Sequence, residues 1–177
     1  ICISAYGFMT WLQLKTPSTK PSFVQNCMKI CIPALFLGTL YLAIYFEIEH
    51  YWNNTFQASK INIENSIGNY PEYNYNIVDL ESVWLIIYTM VFIAALGLIN
   101  NFKIKNKTLG IVSLIAALLT TFTFLTSGLY ILSELRENYI TQELAEFYNI
   151  GIYNIYIRYI SFAFFAFLLF AIYKVAQ

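Results

Sequence analysis

Arg158 stands inside an apolar run, Ile152–Tyr173 (IYNIYIRYISFAFFAFLLFAIY), seven residues beyond Gly151. A guanidinium held at the centre of a bilayer costs about 2.5–3.5 kcal/mol on insertion scales. At about 10 Å along a helix axis it can instead snorkel to the nearer surface. Asn154, Arg158 and Ser161 are spaced to share one helical face. Glu134 and Glu137 end the preceding apolar run, and Glu47 and Glu49 end an earlier one. Arginine can hold a carboxylate bidentately, so a charged cluster of Glu47, Glu134, Arg136 and Arg158 is expected at one interface. It would either lock helices as an ion pair or receive an anionic head group, a substrate or a proton.

A second pattern lies in the run before it. Ser113, Thr120, Thr123, Ser127, Tyr130 and Glu134 step by 3, 4, 3 and 4 after Thr120, the spacing of one helix face. Thr120, Thr123, Ser127 and Tyr130 form either a packing seam between close helices or one wall of a polar pathway. His50 is the one histidine. It follows Glu47 at i,i+3, but a Glu-x-x-His metal site needs further ligands and a second copy, so no metal or other cofactor is expected. No Ser-His-Asp or Cys-His set and no glycine-rich phosphate loop is present, so no catalytic residue is assigned. Cys27 and Cys31 share a helix face, with Cβ atoms about 5–6 Å apart. A disulfide needs about 3.5–4.5 Å. They are inert apolar residues or acylation sites, as is Cys2.

The elements that carry these residues follow from composition. Of 177 residues, 59% are hydrophobic and 11% charged, against about 25% charged in soluble domains; mean hydropathy is +0.58. A soluble globule, a disordered chain and a nucleic-acid binder are excluded. Four continuous apolar runs are each about as long as a bilayer is thick: Cys27–Phe46, Val83–Ile99, Leu109–Leu132 and Ile152–Tyr173. Pro33 would lie one turn into the first, where a missing N–H costs least. Ile1–Leu14 is apolar but short and reads as the tail of a span, as if the chain were the C-terminal portion of a longer polytopic protein. The expected fold is an all-α, polytopic transmembrane helix bundle. It has four full spans plus a partial N-terminal span, in one unit over residues 1–177. Its first partner is the bilayer; other membrane spans, of the same or another protein, are the second.

Charge sets the orientation. Lys15, Lys20, Lys29, Lys103, Lys105, Lys107 and Lys174 fall on one side with no acid; Lys60, Arg136 and Arg158 fall on the other with all ten acids. The positive-inside rule puts the loop at 101–108 and the C-terminus in the cytoplasm. Trp11, Trp52 and Trp84 fall at span ends as interfacial anchors. Two outer loops result, at about 47–82 and 133–151. The first is rich in Asn and Tyr and is expected to be irregular, with a short interfacial helix near Ile61–Ile67. Its Asn53-Asn54-Thr55 matches a glycosylation pattern, meaningful only in a eukaryotic secretory route. In the second, Thr141 would cap a short amphipathic helix with Glu143 in its first turn and Leu144, Phe147 and Tyr148 on one face, ended by Gly151.

Three pieces, YLAIYFEIEHYW (Tyr41–Trp52), GLYILSELRENYI (Gly128–Ile140) and IYIRYISFAFFAFLLFAIYK (Ile155–Lys174), resemble in order and spacing the C-terminal spans of a large polytopic bacterial membrane protein family, domain of unknown function 2339. The resemblance implies a bacterial inner-membrane protein with more spans than this chain holds, and it implies no activity. Three readings stay open. The first is a non-enzymatic scaffold or partner subunit of a membrane assembly. The second is a transporter or a lipid- or glycan-handling module using the charged cluster, with Arg158 in a water-filled cavity. The third is a membrane-embedded transferase with Glu47 or Glu134 as base.

Overall fold

A computed structural model describes residues 4–5, 7–8, 23–65, 68–142 and 147–177. Most of Ile1–Leu14 lies outside the described residues, as do Lys15, Lys20, Glu143, Leu144 and Glu146. Four helices are long and apolar enough to cross a membrane: Cys31–Ala58, Asn76–Ile104, Lys107–Thr141 and Tyr153–Ala176. The protein is an integral membrane protein of helical, polytopic architecture. Its chain divides into two compact units, Ile1–Glu47 and Ile48–Gln177, where one bundle over 1–177 was expected.

In the first unit, helix α1 (Phe23–Ala58) starts earlier than its apolar run, so Pro33 is an interior residue, not a first-turn one. Proline there leaves the carbonyl of residue 29 without its N–H partner. Thr39 returns its hydroxyl to the carbonyls of Leu35 and Phe36, at 2.8 and 3.0 Å. Gly7 lies against the Phe36 ring, with room for a Cβ at 3.4 Å.

α1 runs on into the second unit and ends with Ser59, whose hydroxyl donates to Phe56 O. Strands β1 (Ile61–Asn65) and β2 (Gly68–Glu72) follow as an antiparallel hairpin, Ile61 opposite Glu72 and Asn65 opposite Gly68. This corrects the helix expected near Ile61–Ile67. The alternation of Ile61 and Ile63 with asparagine suits a strand, while Gly68 and Pro71 would end a helix. Phe56 stacks on Tyr73 at 5.1 Å and tilts against Tyr75 at 5.6 Å.

Helix α2 (Asn76–Ile99) then passes into a π-helical turn, Asn100–Ile104. Helix α3 (Lys107–Thr123), a second π-helical turn (Phe124–Gly128) and helix α4 (Leu129–Thr141) form one continuous span, and helix α5 (Tyr153–Ala176) returns. At about 1.5 Å per residue, the 35 residues of Lys107–Thr141 exceed the roughly 30 Å of hydrocarbon. The charged turns of α4 therefore project beyond it.

α2 is central and packs on α3, α4 and α5. It does so through Leu80, Val83, Ile87, Met90 and Ala94, all buried, whose steps of 3 and 4 make one apolar stripe. Facing it are Ala117, Phe124, Leu132 and Leu135 of the long span and Ile157, Leu168 and Ala171 of α5. Phe124 stacks on Phe165 at 4.7 Å and meets Phe162 edge-on at 5.8 Å. At Gly97 the helices come closest: a Cβ there would stand 3.1 Å from Val175 Cγ2 and 3.7 Å from Ser113 Oγ. Around this crossing, Ala94, Gly97, Ser113, Ala117, Leu168 and Ala171 leave a void of about 10 Å³, at the lower limit for one water.

The surface is the reverse of a soluble protein's. Ile111, Val112, Ile115, Leu118, Leu119 and Phe122 of α3 are all more than half exposed, while Asn76, Asn100, Ser113, Thr120, Asn154 and Ser161 are buried. Small and hydrogen-bonding residues inside, with large apolar ones outside, are what lipid as solvent selects.

Candidate functional site

The expected charged cluster is dispersed. Arg158 is exposed on α5, whereas Asn154 and Ser161, expected beside it, are 3% and 0% exposed. The buried line of α5 runs through Asn154, Ile157, Ser161 and Leu168. Arg158 lies to one side of that line, about 100° round the helix from Ile157. Glu134 and Arg136 are exposed on α4, and Glu47 is exposed in the first unit. Among the described residues no salt bridge joins Arg158, Arg136 or Glu134 to another charge. Glu134 instead accepts a hydrogen bond from Tyr130 and stands within electrostatic reach of Asp79 on α2. Glu81 and Glu49 form a second acidic pair nearby in sequence. His50 bonds to Asn54 one turn on, at 3.0 Å, and no metal-holding group of His, Cys, Asp and Glu occurs among the described residues. Cys31 is a free, exposed thiol.

The hydroxyl stripe does not run straight either. Ser113 and Thr120 face the core, but Thr123, Ser127 and Tyr130 are exposed. The buried line follows Ala117, Thr120, Phe124, Gly128 and Leu132, and three successive steps of four mark the wider π turn. Gly128 fits there because a Cβ would stand 2.9 Å from the Phe124 ring. The hydroxyls are spent within their own helix: Thr120 on Ala116 O, Thr123 on Leu119 O, and Thr126 on Phe122 O and Thr123 O. Such back-bonds satisfy carbonyls that a widened turn frees.

Asparagine does the work that charge was expected to do. Between the first turns of α2 and α5, Asn154 Nδ2 donates to Asn76 Oδ1 at 2.6 Å and to Leu135 O at 3.0 Å. Asn76 Nδ2 donates back to Asn154 Oδ1 at 3.3 Å. Two side chains thereby tie three helices where water is excluded, and an unmade bond there is costly. Trp84 Nε1 donates to the Tyr153 hydroxyl at 3.0 Å on the same α2–α5 seam. The signal was in the spacing: Asn76 extends the α2 stripe by one further step of four from Leu80.

The lysine-bearing end has its own clasp. Asn100 donates to Asn106 O at 3.0 Å and accepts from Asn106 N at 3.1 Å. Asn106 caps α3, its Oδ1 accepting from Thr108 N and Leu109 N. Asn101 donates to Lys174 O at 2.8 Å. Lys105, left-handed at φ 55°, ends the π turn.

The loops at the acid-bearing end are shorter than expected, because helices continue through their polar residues. Thr141 is the last residue of α4, its hydroxyl on Glu137 O, so it does not cap a new helix. Gln142 turns left-handed, and its amide donates to Tyr139 O and Ile150 O. The Tyr148 hydroxyl sits 3.0 Å from Ser59 O and 3.1 Å from Glu72 O, sharing its proton between them, while Asn74 N donates to Ser59 Oγ. Burial of this phenol, aided by the Glu72 charge, pushes its pKa above the ordinary value of 10.0.

Asn53 of the glycosylation pattern is exposed on α1, and Thr55 holds Tyr51 O at 2.9 Å. No family model matches the chain, and neither does any curated protein or solved structure.

Proposed function

We propose that this protein is a multi-pass scaffold or partner subunit of an inner-membrane assembly, without a catalytic site. The observation that carries the reading is the sealed interior of the second unit. Met90, Leu135, Ile157 and Leu168 are fully buried, and Asn76 and Asn154 satisfy one another. The void beside Gly97 is about 10 Å³. A transporter needs a hydrated path, and the hydroxyl stripe that would line one turns outward at Thr123. The exposed apolar face of α3 suits lipid or neighbouring spans. The lysine-bearing end, with residues 101–108 and the C-terminus, belongs in the cytoplasm by the charge rule. The family resemblance at Tyr41–Trp52, Gly128–Ile140 and Ile155–Lys174 makes the membrane a bacterial inner membrane, and it rests on those residues alone.

The test is aqueous labelling of single cysteines in intact cells, with Cys2, Cys27 and Cys31 replaced by alanine. A membrane-impermeant thiol reagent should modify Ser133→Cys at once, Lys105→Cys only after permeabilisation, and Thr120→Cys and Ser161→Cys in neither condition. Rapid labelling of Thr120→Cys or Ser161→Cys would mean water in the bundle and overturn the scaffold reading. Labelling of Lys105→Cys in intact cells would reverse the orientation and leave the scaffold reading in place.

A further inference from the structure

At the lysine-bearing end, a groove of about 680 Å³ opens between the π turn that ends α2, the start of α3 and the end of α5. That volume lies within the roughly 300–1,000 Å³ of ligand pockets. Its floor and mouth are polar: Asn101, Lys105 and Lys107. Its wall is apolar: Ile111, Leu114 and Val175, on segments that enter the membrane. Lys105 and Lys107 are exposed. No acid among the described residues pairs with either, because every acid of the chain falls in residues 47–81 or 134–146. Lys174 is held elsewhere, 5.9 Å from the Phe170 and Tyr173 ring centres. The N–H groups at the start of α3 are taken as well: Asn106 Oδ1 accepts from Thr108 and Leu109, and Asn106 O from Gly110. Recognition of an anion therefore falls on the two ammonium groups and not on the helix end.

We propose that this groove holds the phosphate-bearing head group of an anionic phospholipid, with Lys105 and Lys107 on the phosphate and the first acyl carbons along Ile111, Leu114 and Val175. A soluble phosphate would satisfy the lysines and leave that wall bare; a zwitterionic lipid would fill the wall but bring its own cation to the lysines. Basic pockets between spans select anionic lipids on this principle. The proposal needs only the membrane embedding, and it stands whichever way the protein faces.

The experiment places the whole chain in nanodiscs of phosphatidylcholine, with or without phosphatidylglycerol. Lipids retained after detergent extraction are then counted by native mass spectrometry. The wild type should retain phosphatidylglycerol in preference to phosphatidylcholine. A lysine near a phosphate layer is worth roughly five-fold in affinity, so Lys105→Gln with Lys107→Gln should weaken retention roughly twenty- to thirty-fold. Lys105→Arg with Lys107→Arg should preserve it, and so should Lys60→Gln at the opposite end. Far-UV circular dichroism confirms that each variant is folded. Equal retention of both lipids, wild-type retention by the glutamine variant, or full displacement by soluble glycerol phosphate would each overturn the proposal.

Discussion

Replacing Asn154 with alanine removes three hydrogen bonds, two with Asn76 and one to Leu135 O. Hydrogen bonds between helices in a bilayer average about 0.6 kcal/mol, with a maximum near 1.7. Asn154→Ala should therefore cost about 2 kcal/mol, and more if the Asn76 amide stays buried without a partner. Asn76→Ala removes two of the same bonds and should cost about 1 kcal/mol. The double variant loses nothing that Asn154→Ala has not already lost, so it should be no less stable than that single variant. The resulting coupling is about 1 kcal/mol. The assay is reversible unfolding by sodium dodecyl sulfate in mixed micelles, followed by far-UV circular dichroism, on the wild type, both single variants and the double. Additive costs, with a coupling below about 0.3 kcal/mol, would show that the amides do not hold the helices together and would refute the reasoning.

Three further outcomes follow from other contacts. Gly97→Leu drives a side chain into Val175 and Ser113 and should cost about 1–3 kcal/mol by overpacking, with Gly97→Ala less harmful; an unchanged unfolding midpoint for the leucine variant would show that the crossing is looser than it stands here. The folded-state pKa of Tyr148 is raised, so its contribution is present in full below pH 10, the unfolded value, and is lost as pH rises through the folded one. Hydrogen exchange of the hairpin should accelerate over that alkaline range in the wild type and show no such step in Tyr148→Phe; identical profiles would remove the phenol from the account. Arg158→Leu should shift stability by less than about 0.5 kcal/mol, since its guanidinium has no carboxylate partner among the described residues; a larger loss would reveal one.

The spans were legible because continuous apolar runs of that length have few other homes. Their ends were not. Hydropathy marks where hydrocarbon stops, and the helices go on: α1 continues through Glu47–Ala58 and α4 through Ser133–Thr141. The outer loops, expected at 47–82 and 133–151, shrink accordingly. Within the membrane, charge was the louder signal and amide the truer one. Arg158 drew attention by its cost, yet it lies off the buried line of α5, while Asn154 four residues earlier is in the core. The stripe through Thr123 and Ser127 assumed a uniform period, which the π turn breaks. The hairpin was hidden because five-residue strands of mixed Ile and Asn carry little periodicity. That its Ser59 and Glu72 carbonyls meet Tyr148 is a contact between distant stretches that no local pattern announces.

The π turn at Phe124–Gly128 also has a genetic consequence. It is the place where the third of the four spans carries one residue more than a regular helix needs. A deletion there would tighten the turn to ordinary α and rotate all that follows by about 100°. Leu132 and Leu135 would swing out of the core, and the carbonyl that Asn154 reaches would go with them. A single-residue insertion or deletion in most surface loops is absorbed by slack. Here it would change the phase of half a helix, so the reading frame of packing along this span hangs on one residue near Gly128.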